Sequence, residues 1–261
     1  MKHIQHQQKA QPEAVALFVS DLHLSQDLPK TTQAFFDFLR LHAARTRQLY
    51  LLGDMFEYWA GDDDISTPYN RQVIDRLRAV SDQGVKLYWI AGNRDFLVAE
   101  NFARATGAQI LTDPATVQIH GKTIVLAHGD AQCTDDVDYM AFRAQVRQAA
   151  WQEKFLSMPL AQRKDIIDGL RTNSKIEQQQ KMAAIMDVNQ HAIAKLFRES
   201  GATSMIHGHT HRPATHQHDE GIRYVLPDWD CDSTQARGGW LALYDNGSIV
   251  RHRWDGEVIP G

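Results

Sequence analysis

The stretch "SMIHGHTHRP", Ser204 to Pro213, ends a short apolar run in three histidines at alternate positions, His207, His209 and His211. In extended backbone, side chains at i and i+2 point to the same face. His207 and His209 are therefore expected to reach one point in space. Gly208 between them lets the backbone come close to whatever lies there, a metal or a phosphate. A histidine cluster also arises by chance on a polar loop, so the rest of the chain has to decide.

Four other apolar runs stop in the same manner, at a polar residue able to bind metal. "VALFVSDLHL" runs into Asp21 and His23, and "LYLLGDMFEYW" into Gly53 and Asp54. "LYWIAGNRDF" runs into Gly92, Asn93 and Arg94, and "TIVLAHGD" into His128. Short runs of Val, Leu, Ile and Tyr without alternation suit strands buried on both faces. Between them, "TTQAFFDFLRLHAAR" and "RQVIDRLRAVSDQG" have apolar residues at helical spacing, the second ending on Gly84 as a cap. Alternating strand and helix predict a layered α/β fold. In such sheets ligands bind beyond the carboxyl ends of the strands, so the five polar stops are expected to converge. "YVLPDW", "GWLALY" and "SIVRHRW" read as further strands, the last two joined by the hairpin signal Asp245-Asn246-Gly247.

From about Cys133 to Arg198 the strand rhythm is lost. The segment reads as helices broken near Pro159, then one long helix "IEQQQKMAAIMDVNQHAIAKLFRESG" stopped by Gly201. We therefore expect a flexible leader over 1–14, a core built from 15–132 and 186–261, and a helical cap insertion over 133–185. The 261 residues suffice for one large domain with an insertion, and 43% hydrophobic with 23% charged residues is ordinary for a globular chain. A net charge of −4 gives no basic field for nucleic acid. Cys133 and Cys231 form no CxxC, which argues against a disulfide framework or a cysteine zinc site. The polar start "MKHIQHQQKAQPE" lacks the apolar core of a signal peptide, and no segment has the length of a membrane span.

Asp21, His23, Asp54, Asn93, His128, His207 and His209 offer carboxylate, amide and imidazole donors. Mixed nitrogen and oxygen ligands suit two borderline divalent cations such as manganese, zinc or iron; an all-oxygen set would favour magnesium or calcium. Asp54 is the natural bridge, since a carboxylate has two oxygens to share. Two metals so bridged can clamp both ends of an in-line phosphoryl displacement.

In order and spacing, "DLH", "GD", "GNRD", "AHGD" and "HGHTH" resemble the calcineurin-like metallophosphoesterases, over about residues 15–255. The resemblance implies one metal held by Asp21, His23, Asp54 and His209, and a second by Asp54, Asn93, His128 and His207. It gives His211 no ligand role, leaving it beside the ligands or on the phosphate side.

Arg94 stands where many members of that superfamily carry histidine. An arginine stays charged and cannot usefully protonate a leaving oxygen. It can grip phosphate oxygens bidentately and stabilise transition-state charge, which suits a good leaving group such as one side of a pyrophosphate. Alternatively it is an ion-pair partner of Asp95. The insertion is rich in large apolar groups, among them Tyr139, Phe142, Trp151 and Phe155. They line an acyl-chain pocket or form the cap's own core. Arg143, Arg147, Lys154, Arg163 and Lys164 face an anionic bilayer or form an ordinary solvated face.

The strings "SDLHLS", "GDMFEYWAGDDD", "GNRDFL", "HGDAQCTDDVDYMAFR", "NSK", "AIMDVN" and "IHGHTHRP" resemble one branch, the UDP-2,3-diacylglucosamine diphosphatases of lipid A biosynthesis. That resemblance implies hydrolysis of the pyrophosphate to UMP and 2,3-diacylglucosamine 1-phosphate, with two Mn(2+) ions as cofactors. It implies Asp54, Asn93 and Arg94 as catalytic residues, and Asn93, Arg94, Asp136, Ser174, Gln178, Lys181 and His207 as substrate contacts. Gln178 departs from the asparagine common in the branch, which shifts its amide by one methylene. The implied partner is a membrane-resident glycolipid, met by a peripheral enzyme on the cytoplasmic side of the inner membrane. No nucleic acid and no obligate protein partner are expected. A soluble nucleotide or dinucleoside polyphosphate pyrophosphatase shares the metal site but needs no acyl pocket. A non-catalytic binding module would have lost ligands, and none is missing here.

Overall fold

The computed structural model describes residues 12–181 and 187–259, the stretch 171–181 by its backbone alone. Strands β1 (Ala14–Val19), β2 (Gln48–Leu51), β3 (Lys86–Trp89) and β4 (Ala108–Ile110) pair in parallel. Helices α1 (Pro29–Leu41), α2 (Pro68–Asp82) and α3 (Glu100–Thr106) connect them. β5 (Ala115–Ile119) and β6 (Lys122–Ala127) then open a second sheet. After the helical excursion, β7 (Ser204–His207), β8 (Thr215–Gln217) and β9 (Ile222–Val225) extend it. The chain closes with β10 (Gly239–Tyr244), β11 (Ile249–Arg253) and β12 (Val258–Ile259), which return to the first sheet. The sheet orders are β12-β11-β10-β1-β2-β3-β4 and β5-β6-β7-β9-β8.

The two sheets stack face to face, and alternate residues of the central strands go to different cores. From β1, Ala16 and Phe18 join Ile124, Leu126 and Ile206 between the sheets. Leu17 and Val19 instead meet Phe35, Phe38 and Leu77 of the outer helices. On the far side, Val125, Ala127 and Met205 pack under Ile193 and Phe197. Those two belong to α7 (Gln190–Ser200). β1, β2, β6, β7 and β10 are thus covered on both faces, and this is why their sequences run apolar without alternation. The fold is a layered α/β sandwich, as the alternation of elements predicts.

Two sequence expectations differ. "YVLPDW" is strand only to Val225; beyond it the chain turns back so that the Trp229 amide reaches the Asp21 carbonyl at 2.9 Å. The single long helix before Gly201 is two elements. Asn189 lies outside the helix and caps α7, its side chain accepting from the amides of His191 and Ala192 at 2.9 and 3.1 Å.

Between β6 and β7 lie α4 (Val137–Val146), α5 (Ala149–Leu156) and α6 (Leu160–Lys181). They sit over the loops that follow β2 and β3. Arg163, only 1% exposed, donates to the Ala60 carbonyl and to Asp63, and Lys164 pairs with Asp64 at 2.6 Å. Arg143 and Arg147 bind Asp130 and the Gly92 carbonyl. These four side chains pin the helices to the core; they are neither bilayer-facing nor simply solvated.

Candidate metal centre

The loops following β1, β2, β3, β6 and β7 converge at one end of the sandwich. Backbone bonds tie them: the Asp21 amide to the Gly53 carbonyl at 3.0 Å, the His23 amide to the Asp54 carbonyl at 3.0 Å, and the Gly208 amide to the His128 carbonyl at 2.8 Å. Among the described residues, the non-glycine positions with positive φ are Asp21, His23, Asp54, His209, His211 and, elsewhere, His120. Left-handed backbone is uncommon outside glycine and clusters at functional sites, though Asp, Asn and His tolerate it best. Gly208 packs its Cα against Ser20 and the Asp21 carboxylate, where a Cβ would overlap both.

The ligand-capable atoms face one another. Asn93 Oδ1 lies 2.9 Å from His128 Nε2 and 3.0 Å from His209 Nδ1. His211 Nε2 lies 3.4 Å from His23 Nε2 and 3.5 Å from Asp21 Oδ1. His128 Nε2 is 3.7 Å from Asp54 Oδ1. Asp21, His23 and His211 form one group with all ligand atoms within 4.8 Å, and Asp21, Asp54 and His128 form another.

His207 does not join them, contrary to the expectation from its spacing. It is fully buried, with Nδ1 2.9 Å from the Gly208 carbonyl and Nε2 3.1 Å from the Arg223 guanidinium. The i, i+2 rule requires extended backbone, but β7 ends at His207 and the chain then turns, with φ of 66° at His209 and 54° at His211. The structure therefore brings His209 and His211 to the centre, displaced by two residues from the expected pair. Burial, reinforced by the Arg223 charge, pushes the His207 pKa down to about 3, so its imidazole is neutral.

The buried carboxylates create a negative potential. Burial would lower the His128 pKa, but Asp54, Asp21 and Asp130 outweigh it and raise it to about 9. Burial would likewise raise Asp21, yet its hydrogen bond with His211 and the charges of His128, His211 and His23 hold its carboxyl well below the usual range. Burial and the Asp54 charge push Asp95 up to about 6. Burial and the neighbouring His128 charge lower His209 to about 4. Buried carboxylates among neutral and charged imidazoles, with mixed N and O donors, fit divalent cations.

Supporting groups escaped the sequence reading. Glu57 Oε2 lies 3.2 Å from His23 Nδ1, and the Leu52 carbonyl lies 2.9 Å from His128 Nδ1. Such partners fix ring orientation at metal sites. Asp95 is not an ion-pair partner of Arg94. Its oxygens accept from the amides of Gly92 and Met55, both at 2.8 Å, and of Asp54 at 3.3 Å. That leaves the Arg94 side chain lining a cavity of about 630 Å³ beside Asn93. Trp151, Phe155, Ile166 and Ile167 from the overlying helices, with Met158 between α5 and α6, form its apolar wall. Asp136 caps α4, accepting from the Tyr139 amide at 3.0 Å. The side chains of Ser174, Gln178 and Lys181 fall outside the described residues.

The calcineurin-like phosphoesterase family model matches residues 15–213. A UDP-2,3-diacylglucosamine hydrolase of Aromatoleum aromaticum is 49% identical over 226 residues, 85% of this chain and 92% of the relative. Proteins of the same name from Haemophilus influenzae and Escherichia coli O7:K1 are 46% and 42% identical, covering 81% and 85% of this chain and 89% and 93% of the relatives. Matches of this extent to both the shared domain and the named relatives place this chain in the calcineurin-like phosphoesterase family, among the UDP-2,3-diacylglucosamine hydrolases.

Proposed function

We propose that this chain is a metal-dependent hydrolase that cleaves the pyrophosphate bond of UDP-2,3-diacylglucosamine, releasing UMP and 2,3-diacylglucosamine 1-phosphate in lipid A biosynthesis. The observation that carries this reading is a junction. The cluster of buried carboxylates and imidazoles meets an apolar cavity at Asn93 and Arg94. A substrate that is charged at one end and acylated at the other needs both halves.

One cation would be held by Asp21, His23, Asp54 and His211, and a second by Asp54, Asn93, His128 and His209. Two Mn(2+) ions suit this donor set. Bound there, they would supply Lewis acidity toward the phosphoryl oxygens and a nucleophile at neutral pH. The chain's own part is positioning. The Arg94 amide donates to Asp54 Oδ1 at 2.7 Å and its carbonyl accepts from the Trp59 amide at 3.1 Å. The backbone is thereby fixed on both sides, and the guanidinium is free to grip phosphate oxygens and stabilise transition-state charge. Asn93, Asp136, Ser174, Gln178 and Lys181 are the further candidates for substrate contact.

Helices α4, α5 and α6 act as a cap whose cavity takes acyl chain. Val137, Phe142, Leu156, Ile166 and Leu170 are 37–73% exposed on it. Among the described residues no helix is long and apolar enough to cross a membrane. These exposed groups support peripheral attachment to the cytoplasmic leaflet of the inner membrane, where the glycolipid resides. The direct test is UMP release by the manganese-loaded protein from UDP-2,3-diacylglucosamine, UDP-glucosamine and a diadenosine polyphosphate. Preference for either soluble compound would overturn the lipid reading.

Two predictions test the residue assignments. Arg94→Ala is expected to lower kcat by about 10²–10³, the scale of one lost transition-state donor. Arg94→His should not restore it; full rescue would show that general-acid chemistry limits the reaction. His211→Ala is expected to lose bound manganese by metal analysis, whereas His207→Gln keeps both ions. The reverse result would return His207 to the ligand set.

A further inference from the structure

Tyr139, Arg143 and Arg147 stand four residues apart along α4 and its C-cap, and so share one helix face. The Tyr139 hydroxyl donates to Asp130 Oδ2 at 2.6 Å, and Arg143 Nε donates to the same oxygen at 2.8 Å. Arg143 Nη2 also donates to Asp113 Oδ2 at 3.1 Å, and Asp113 Oδ1 accepts the backbone N–H of His128 at 3.2 Å. Arg147 Nη2 donates to the Gly92 carbonyl at 2.9 Å, one residue before Asn93. Its guanidinium also lies 5.2 Å over the Phe96 ring, further along the same loop.

These contacts have a common target. Asn93 and His128 come from different sheets, on loops after β3 and β6, yet their ligand atoms are 2.9 Å apart. Among the described residues, no backbone hydrogen bond joins the two loops directly. Arg147 holds the first and Arg143, through Asp113 and Asp130, holds the second. Asp130 and Asp113 are almost fully buried, so neither has water to substitute for arginine.

We infer that Tyr139, Arg143 and Arg147 are positioning residues, which hold the Asn93 and His128 loops in register from the cap and so set the cation affinity of that half of the centre. The cap is then part of the metal site's construction as well as the wall of the acyl cavity. This inference rests on the two-cation reading above.

The test uses the full chain with manganese as the probe. Arg143→Met and Arg147→Met keep side-chain bulk and remove the donors. Stepwise manganese affinities, with the electron paramagnetic resonance signal of the coupled pair, report the centre independently of turnover. We expect one of the two affinities to fall by about 10–100-fold, the range for loss of a group supporting a metal ligand. The coupled-pair signal should weaken accordingly. With manganese below saturation, kcat should fall alike on the lipid and on a small chromogenic phosphodiester. If the Met variants do not fold, Arg143→Lys and Arg147→Lys provide the reading. Lysine keeps the charge but not the planar fork, so the same site should weaken by a smaller factor. Folded variants with both affinities equal to wild type would overturn the inference. A wild-type protein that binds fewer than two manganese ions would instead overturn the two-cation reading.

Discussion

Asp54→Asn is expected to cut turnover by at least about 10³-fold while the protein stays folded. In the proposed centre Asp54 is the carboxylate shared by both cations, and its Oδ1 lies 3.7 Å from His128 Nε2. Removing a unit charge about 4 Å from another costs about 4 kcal/mol at the effective dielectric of a protein site, and each 1.36 kcal/mol is tenfold in rate. Asparagine isolates this effect. Its Oδ1 can still accept the Arg94 amide, now 2.7 Å from Asp54 Oδ1. Asparagine also tolerates the φ of 52° found there, where alanine would pay about 1–2 kcal/mol for left-handed backbone. Asp54→Ala should therefore lose stability as well as metal, and Asp54→Asn metal alone. Thermal unfolding and metal analysis of both variants make the comparison. An Asp54→Asn protein with near-normal manganese content and rate would sink the bridged centre.

The strand ends were legible in the sequence for a specific reason. Strands covered on both faces read as unbroken apolar runs, so the first polar residue after each marks the exposed carboxyl edge where ligands gather. Asp21, Asp54, Asn93 and His128 were singled out in that way, and the structure brings their side chains together. His207 was misplaced because the same reasoning assumed that extension continues, whereas the chain turns after it with left-handed backbone at His209 and His211, and Gly208 was read as room for a close approach and not as the start of a turn. The break before α7 had a local signal in Asn189, a good cap, masked by the helical spacing on either side. The roles of Arg143, Arg147 and Arg163 were out of reach. Arg143 reaches Asp130 and Asp113, 13 and 30 residues away, and Arg147 and Arg163 reach carbonyls 55 and 103 residues away. A basic residue on a helix looks the same whether its partner is water, lipid or a distant buried carboxylate.

The cap should also decide which pyrophosphate is cleaved. The metal ligands contact only the charged end of a substrate, and they would treat UDP-glucosamine and its diacyl form alike. The apolar wall of Trp151, Phe155, Met158, Ile166 and Ile167 has no counterpart in the needs of a soluble nucleotide. Each buried methylene is worth about 0.8 kcal/mol, so six of them contribute about 5 kcal/mol before ordering costs. With 1.4 kcal/mol per factor of ten, kcat/KM for the diacyl substrate should exceed that for UDP-glucosamine by at least about 10³. Phe142 and Ile166 line the cavity yet are 46% and 37% exposed, so replacing both by serine removes apolar wall with little loss of core. Tyr139 is less suited to this test, because its hydroxyl is bound to Asp130. The double variant is expected to narrow the gap between the two substrates while hydrolysis of a small chromogenic phosphodiester stays near wild type. Equal losses on all three substrates would mean that the cap had unfolded onto the centre. A wild-type enzyme indifferent to the acyl chains would show that the cavity serves something other than the lipid, and would move this chain toward the soluble nucleotide pyrophosphatases.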